Sequence, residues 1–260
     1  MIRPAGRPSV ASAPNRGRSR SGAPPRPSPA RGRGRAARSP RHGAKEDACM
    51  NADRVTLYHS PNTRSSSALL LLEELGAPYD LQVLNMKAGE NRQPAYLAVN
   101  PMGKVPAIRH RGALVTEQVA VFLYLADAFP EAGLAPAIGD PLRGPYLRWM
   151  VYYGSSFEPA VVDKARGLAS DESVRAMLPY GSYEAALAVV NDQLRQGPYL
   201  LGERFTAADI LWGAALTWTT MFGFVPETPE IAAYVARHQA RPAVARVRER
   251  DAALAAAQAA

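Results

Sequence analysis

Strand signals stop halfway along this 260-residue chain, and that break constrains its fold more than any other feature. Up to Phe129, extended and helical patterns alternate. "RVTLYH", from Arg54, reads as a strand, and Ser65–Leu75 as a helix stopped by Gly76 at its C-terminal cap. "YDLQVLNM" reads as a second strand and "RQPAYLAV" as a short helix, while "VPAIRH" and "ALVT" form a hairpin with "RG" at its turn. In "EQVAVFLYLADAF", Val119, Phe122, Leu123 and Ala126 share one apolar helical face. The order β-α-β-α-β-β-α predicts a small sheet layer with helices on its faces. "PEAGLAPAIGD" then reads as a connector, and only helical patterns follow it, at 141–166, 181–195, 206–222, 228–238 and 241–257. Asp140 and Pro141 suit a cap and a first helical position. Thr206 and Asp209 have capping-box spacing, with Phe205 and Ile210 at the staple positions. The expected organisation is a tail at 1–52, a sheet-bearing domain at 53–130, a linker at 131–140 and an all-helical domain at 141–257.

The net charge of +8 suggests a nucleic-acid binder until its distribution is seen. Residues 1–49 hold eleven Arg and one Lys against Glu46 and Asp47, a balance of +10 that leaves −2 for residues 50–260. The tail has almost no large apolar side chain to offset the entropy of ordering, so it is expected to be disordered. Three readings of it stand open. It is a phosphate-binding arm, a transit peptide, or sequence upstream of a true start at Met50. Eight prolines oppose the amphipathic helix of a transit peptide, and the Arg and Ala bias suits a GC-rich upstream frame. The single cysteine is Cys49, so residues 50–260 can form no disulfide, zinc-thiolate site or thiol nucleophile. No apolar run reaches membrane-spanning length. A soluble, cytoplasmic protein without a metal is expected.

Two polar stretches remain. "SPNTRSSS", Ser60–Ser67, crowds hydroxyls at the mouth of the first helix. In "NPMGKVPAI", Pro106 pushes Val105 to an extended conformation and prevents a ladder partner from closing. The neighbouring main-chain groups are then free to clamp a ligand's peptide groups, with a cis bond at Pro106 fixing the presentation. A Val-Pro step is also ordinary punctuation before a strand.

"SPNTRSSSALLLLEELGAPYDL", "YLAVNPMGKVPAI", "LVTEQVAVFLYLAD" and "YLLGERFTAADI", in this order, resemble the glutathione S-transferase superfamily. The resemblance spans about residues 53–255, with "NPxGKVP" and "FTAAD" its specific elements. It implies a thioredoxin-like N-terminal domain, an all-helical C-terminal domain, glutathione as co-substrate and a homodimer. It also implies roles. The backbone of Val105, before Pro106, would pair with the cysteinyl part of glutathione. Glu117 and Gln118 match the family's Glu-Ser pair that holds the γ-glutamyl end, with Gln in place of Ser, and Lys104 would meet the glycyl carboxylate. A helix N-terminus suits a carboxylate on physical grounds too.

In the family a hydroxyl, amide or thiol in the first loop sits beside the glutathione sulfur. Half-ionising a thiol of pKa 8.5 at pH 7 takes about 2 kcal/mol, which one or two aimed donors at a helix N-terminus supply. Counting back from Gly76, Asn62 falls where serine-type members place their hydroxyl, Thr63 is next, and Arg64 falls where some bacterial members place cysteine. Asn62 and Thr63 are the first candidates, then Arg64 and Ser65, although Ser65 also suits an N-cap. Tyr58 lies too early for a tyrosine-type site. The missing cysteine opposes the thiol-transferring branches and the Ser-Ser-Cys loop of maleylacetoacetate isomerases. Tyr152, Tyr153, Phe157, Trp212 and Met221 are candidate walls of an electrophile pocket between the domains, or else core.

The resemblance thus implies a glutathione transferase acting on an electrophile or peroxide, in detoxification. The alternatives are a scaffold that binds glutathione without turnover and a nucleic-acid-associated protein working through the Arg-rich arm. The intact mass of the native protein tests the last: a chain beginning at Met50 removes it, and a mass including residues 1–49 restores it.

Overall fold

The computed structural model describes residues 53–168 and 172–259; the readings made for the tail and for Met50 lie outside the described residues. β1 (Val55–His59), α1 (Arg64–Leu75), β2 (Tyr79–Val83), the short α2 (Pro94–Leu97), β3 (Ala107–His110), β4 (Ala113–Val115) and α3 (Gln118–Ala128) follow in the expected order. The sheet runs β2-β1-β3-β4, with β2 parallel to β1 and the other neighbours antiparallel. Gly76 ends α1 in the left-handed region (φ 63°). Arg111 and Gly112 both have positive φ, the conformation that a two-residue hairpin turn requires. The helical domain contains α4 (Arg143–Tyr152), α5 (Glu158–Ala165), α6 (Tyr183–Leu194), α7 (Ala207–Met221), α8 (Pro229–Gln239) and α9 (Pro242–Ala259). A π-helical turn, Tyr153–Phe157, joins α4 to α5 without a break.

Local details differ from the sequence expectations for identifiable reasons. The cap of α1 is Thr63, whose hydroxyl accepts from the Ser65 amide (3.3 Å); Ser65 itself points inward. α4 begins at Arg143 because Asp140 closes a preceding turn instead, accepting from the Leu142 amide (2.8 Å) and the Arg204 guanidinium (2.8 Å). On α3 the fully buried residues are Val121, Phe122, Leu125 and Ala126, while Val119 and Leu123 are only partly covered. α3 lies between β3 on one side and α1, α4 and α7 on others, so an apolar run alone could not fix its inward direction.

α7 is the centre of the helical domain and packs on α1, α3, α4 and α8. Its capping box forms. The buried Asp209 carboxylate accepts from the Thr206 amide, the Leu200 amide (both 2.8 Å) and the Tyr234 hydroxyl (2.9 Å). Burial pushes this carboxyl up, and those hydrogen bonds oppose the shift. Further along, Gly213 lets α8 approach so closely that an added Cβ would sit 2.3 Å from His238 Nδ1. Burial, helped by Arg241, lowers His238 to about 4. Its folded value thus lies below the unfolded value of 6.5, and the unfolded chain binds the extra proton on acidification. Stability is expected to fall by up to about 1.4 kcal/mol per pH unit as pH drops from 6.5 toward 4. Denaturant midpoints across that window check this, and His238→Asn should flatten the slope.

Candidate functional site

Strand register gathers the polar stretches at one end of the sheet. Tyr58 pairs with Ala107, so the loop leaving β1 and the segment entering β3 lie side by side. Ile108 pairs with Val115, which brings Thr116 and Glu117 out at the same end. α1 and α3 both begin here, presenting two helix N-termini.

Each segment arrives in an unusual backbone state. The Val105–Pro106 bond is cis. Among the described residues nothing hydrogen-bonds to the Val105 N–H or C=O, although the preceding Lys104 carbonyl accepts from Tyr96 Oη (2.6 Å) and Asn100 Nδ2 (2.9 Å). Val105 is therefore held by its neighbours with its own peptide groups open. Lys104 is exposed. Glu117, ahead of α3, has φ 65° and ψ 121°, a strained state for a residue with a Cβ, and its side chain is exposed. Such strain costs on the order of 1–3 kcal/mol and concentrates where geometry matters. Asn62 is also left-handed (φ 57°), a state asparagine tolerates.

The hydroxyls of Ser60–Ser67 turn inward. Thr63 Oγ1 donates to the Ser60 carbonyl (2.8 Å), and Ser65 Oγ lies 2.8 Å from both Thr63 Oγ1 and His59 Nδ1. Ser66 Oγ donates to Asp251 and Ser67 Oγ to the Arg64 carbonyl (2.8 Å). Of the four loop candidates, Thr63 and Ser65 thus build the loop. Asn62 and Arg64 remain exposed, with the Asn62 side chain unpartnered among the described residues.

A chain of contacts crosses from α1 to the helical domain. Gln118 Nε2 donates to Ser67 Oγ (2.7 Å), and Tyr153 Oη lies 3.3 Å from Gln118 Oε1 and donates to Glu158 Oε1 (2.9 Å). Glu158 also receives the Arg64 Nε–H. Burial raises the Tyr153 hydroxyl far above its ordinary range, with the Glu158 carboxylate adding to it, so it stays protonated as a donor. The π turn at Tyr153–Phe157 sets this aim, as such turns often do at functional sites.

The five expected pocket walls divide. Tyr152, Tyr153 and Phe157 pack around Trp212, with ring centroids 6.2, 5.8 and 4.7 Å away. Trp212 is wholly buried and donates to the Trp149 carbonyl (3.0 Å), and Phe157 is likewise core. Only Tyr153 reaches the site through a polar atom. Met221, at the far end of α7, is exposed and joins none of these rings. His59, Glu158 and Asp251 escaped the sequence reading. His59 had a signal, because it continues the inward face of Val55 and Leu57, where a polar group needs a partner.

Residues 53–127 match the family described as "Glutathione S-transferase, N-terminal domain", and residues 180–250 match "Glutathione S-transferase, C-terminal domain". The chain is 31% identical to the glutathione S-transferase GstA of Escherichia coli O157:H7 over 73% of its own length and 95% of that protein. A maleylacetoacetate isomerase of Pseudomonas aeruginosa is 30% identical, with 72% and 94% covered. A glutathione transferase homologue from Sulfitobacter, solved with bound glutathione, superposes with a TM-score of 0.63 at 32% identity, covering 76% of this chain and 98% of that one.

Relieving the strain before α3 gives a direct test of its size. Glu117→Gly should raise stability by about 1 kcal/mol, read as a higher unfolding midpoint. A lower midpoint would mean that the Glu117 side chain contributes more to folding than its backbone costs.

Proposed function

Since the chain belongs to the glutathione S-transferase superfamily, we propose that it binds reduced glutathione across the end of the sheet and lowers the pKa of its thiol. The thiolate then attacks an electrophilic carbon or a peroxide. The observation that carries this reading is the open peptide unit of Val105 beside the two helix N-termini. Its N–H and C=O suit the cysteinyl backbone, Glu117 and Gln118 with the α3 N-terminus suit the γ-glutamyl end, and Lys104 suits the glycyl carboxylate. Next to the sulfur, the uncommitted group is the Asn62 side-chain amide, helped by the α1 N-terminus and by the charge of Arg64, whose guanidinium is paired with Glu158. Tyr153, kept protonated, stands where an electrophile would enter.

The loop holds no cysteine, and on that ground we place the chain outside the isomerase branch despite the 30% identity. A cytoplasmic, dimeric detoxification enzyme is the biological setting we propose. No helix among the described residues is long and apolar enough to cross a membrane. One observation favours a second reading, glutathione binding without turnover. Thr63, Ser65, Ser66 and Ser67 all have acceptors within the protein for their hydroxyl protons, so none is free for a thiolate without rearrangement.

Calorimetric titration of the full chain with reduced glutathione, in buffers of different ionisation enthalpy at pH 7, separates the readings. Binding with proton release supports the transferase, and binding without it supports the non-catalytic reading. No binding overturns both. Gln118→Ala should weaken binding about tenfold, close to 1.4 kcal/mol, by removing a donor and loosening Ser67.

A further inference from the structure

The loop that faces the glutathione sulfur in the proposed reading is held from the far end of the sequence. Asp251, on α9, is buried, and its carboxylate gathers three donors from the N-terminal domain. Oδ1 accepts from His59 Nε2 (2.9 Å), and Oδ2 accepts from the Asn62 amide (2.9 Å) and the Ser66 hydroxyl (2.5 Å). His59 is fully buried, and its other nitrogen lies 2.8 Å from Ser65 Oγ. Ser65 Oγ in turn receives the Ser60 amide (3.0 Å). One carboxylate therefore reaches Asn62 and Ser66 directly, Ser65 through the His59 imidazole, and Ser60 through the Ser65 hydroxyl in turn. The Asn62 amide bond matters most, because it fixes the left-handed residue whose side chain is uncommitted.

We infer that Asp251 is a positioning residue for the thiol site, fixing through His59 and the Asn62 amide the loop that presents Asn62 and Arg64. A thiol is ionised by donors only when they are held at hydrogen-bonding distance, and a loop free to turn Asn62 out of its αL state would lose that aim. The Val105 peptide unit and Gln118 are anchored separately, through Tyr96, Asn100 and Ser67. Loss of Asp251 is thus expected to act on the sulfur and leave the peptide clamp intact. The inference rests on the proposed glutathione reading for its consequence, and on the structure alone for the loop contacts.

The test compares the wild-type full chain with Asp251→Ala and Asp251→Asn. Asparagine can keep the Asn62 and Ser66 contacts with its oxygen while its amide meets His59 in the other tautomer. Three readouts are needed: amide hydrogen exchange across Ser60–Ser66, binding of S-methylglutathione, and the ultraviolet absorbance of bound glutathione thiolate against pH. For Asp251→Ala we expect at least about tenfold faster exchange in the loop than in β1 and β3, and a thiolate fraction at pH 7 reduced about threefold or more. Affinity for S-methylglutathione, which has no thiol proton, should stay within about twofold. Asp251→Asn should restore most of the loop protection. A variant that unfolds at a lower temperature yet keeps wild-type loop exchange and thiolate titration would overturn the inference, leaving Asp251 a stability residue only. Should Asp251→Ala fail to fold, the same two readouts on His59→Gln and Asp251→Asn decide. If the wild type forms no thiolate, the glutathione reading fails by itself, while the exchange comparison still decides whether Asp251 holds the loop.

Discussion

The antiparallel return of β3 beside β1 is the constraint on which the rest of the N-terminal domain depends. It places the exit of β1, the entry to β3 and the exit of β4 at one end of a four-stranded sheet. Every open backbone group and strained residue of the candidate site lies within a few positions of those strand ends. A slip of one residue in this register would turn Leu57 and Ile108 out of the core, so hydrophobic burial and site geometry are fixed together. Packing the sheet thus places the ends of the site's segments, and the helical domain holds what lies between them.

The helical domain supports this end of the sheet from two directions. From one side, α4 and α5 carry Tyr153 and Glu158 up to Gln118 and Arg64. From the other, α9 lies along α1, with Arg241 just before it forked on Glu74 (2.7 and 2.6 Å) and Arg246 within it on Glu73 (2.9 Å), and it delivers Asp251 beneath the loop. α7, held at its start by Asp209, packs on α1, α3 and α4 and keeps these supports in register. The surface ion pairs add little individually. Their arrangement ties α9 to α1 along its length, so the buried contact at Asp251 is backed by a packed interface.

Much of the fold was legible in the sequence because it is written in local periodicity and punctuation. Gly76, the Arg111–Gly112 turn, the Thr206–Asp209 box and the helix succession after Phe129 all express preferences a short window carries. Two of the differences have causes that no short window carries. Several good capping residues in a row, Thr63 to Ser67, compete for one cap, and only the tertiary need of His59 for a partner pulled Ser65 inward. An apolar helix enclosed on most sides, α3, has no polar face to declare its orientation. At the site, the Val-Pro step and the Glu-Gln pair were legible through motif, whereas the direction of each hydroxyl was not. Asp251 gave no local sign at all, being the last of four consecutive charged residues, Arg248–Asp251, whose chain neighbours are solvated.

The π turn at Tyr153–Phe157 has a meaning for how such a site can change. A π turn accommodates one residue more than the α-helix on either side of it. Deleting a single residue there would restore an unbroken α-helix with nearly the same phase beyond it, because the wide turn absorbs the extra residue locally. The change falls on the turn itself, where Tyr153 meets Gln118 and both Tyr153 and Phe157 face Trp212, while Glu158 beyond it keeps its direction toward Arg64. The extra residue of the turn therefore aims Tyr153 at Gln118 while leaving the helices on either side in phase. A one-residue change of length in this turn would re-aim Tyr153 while sparing the packing of the helices that flank it.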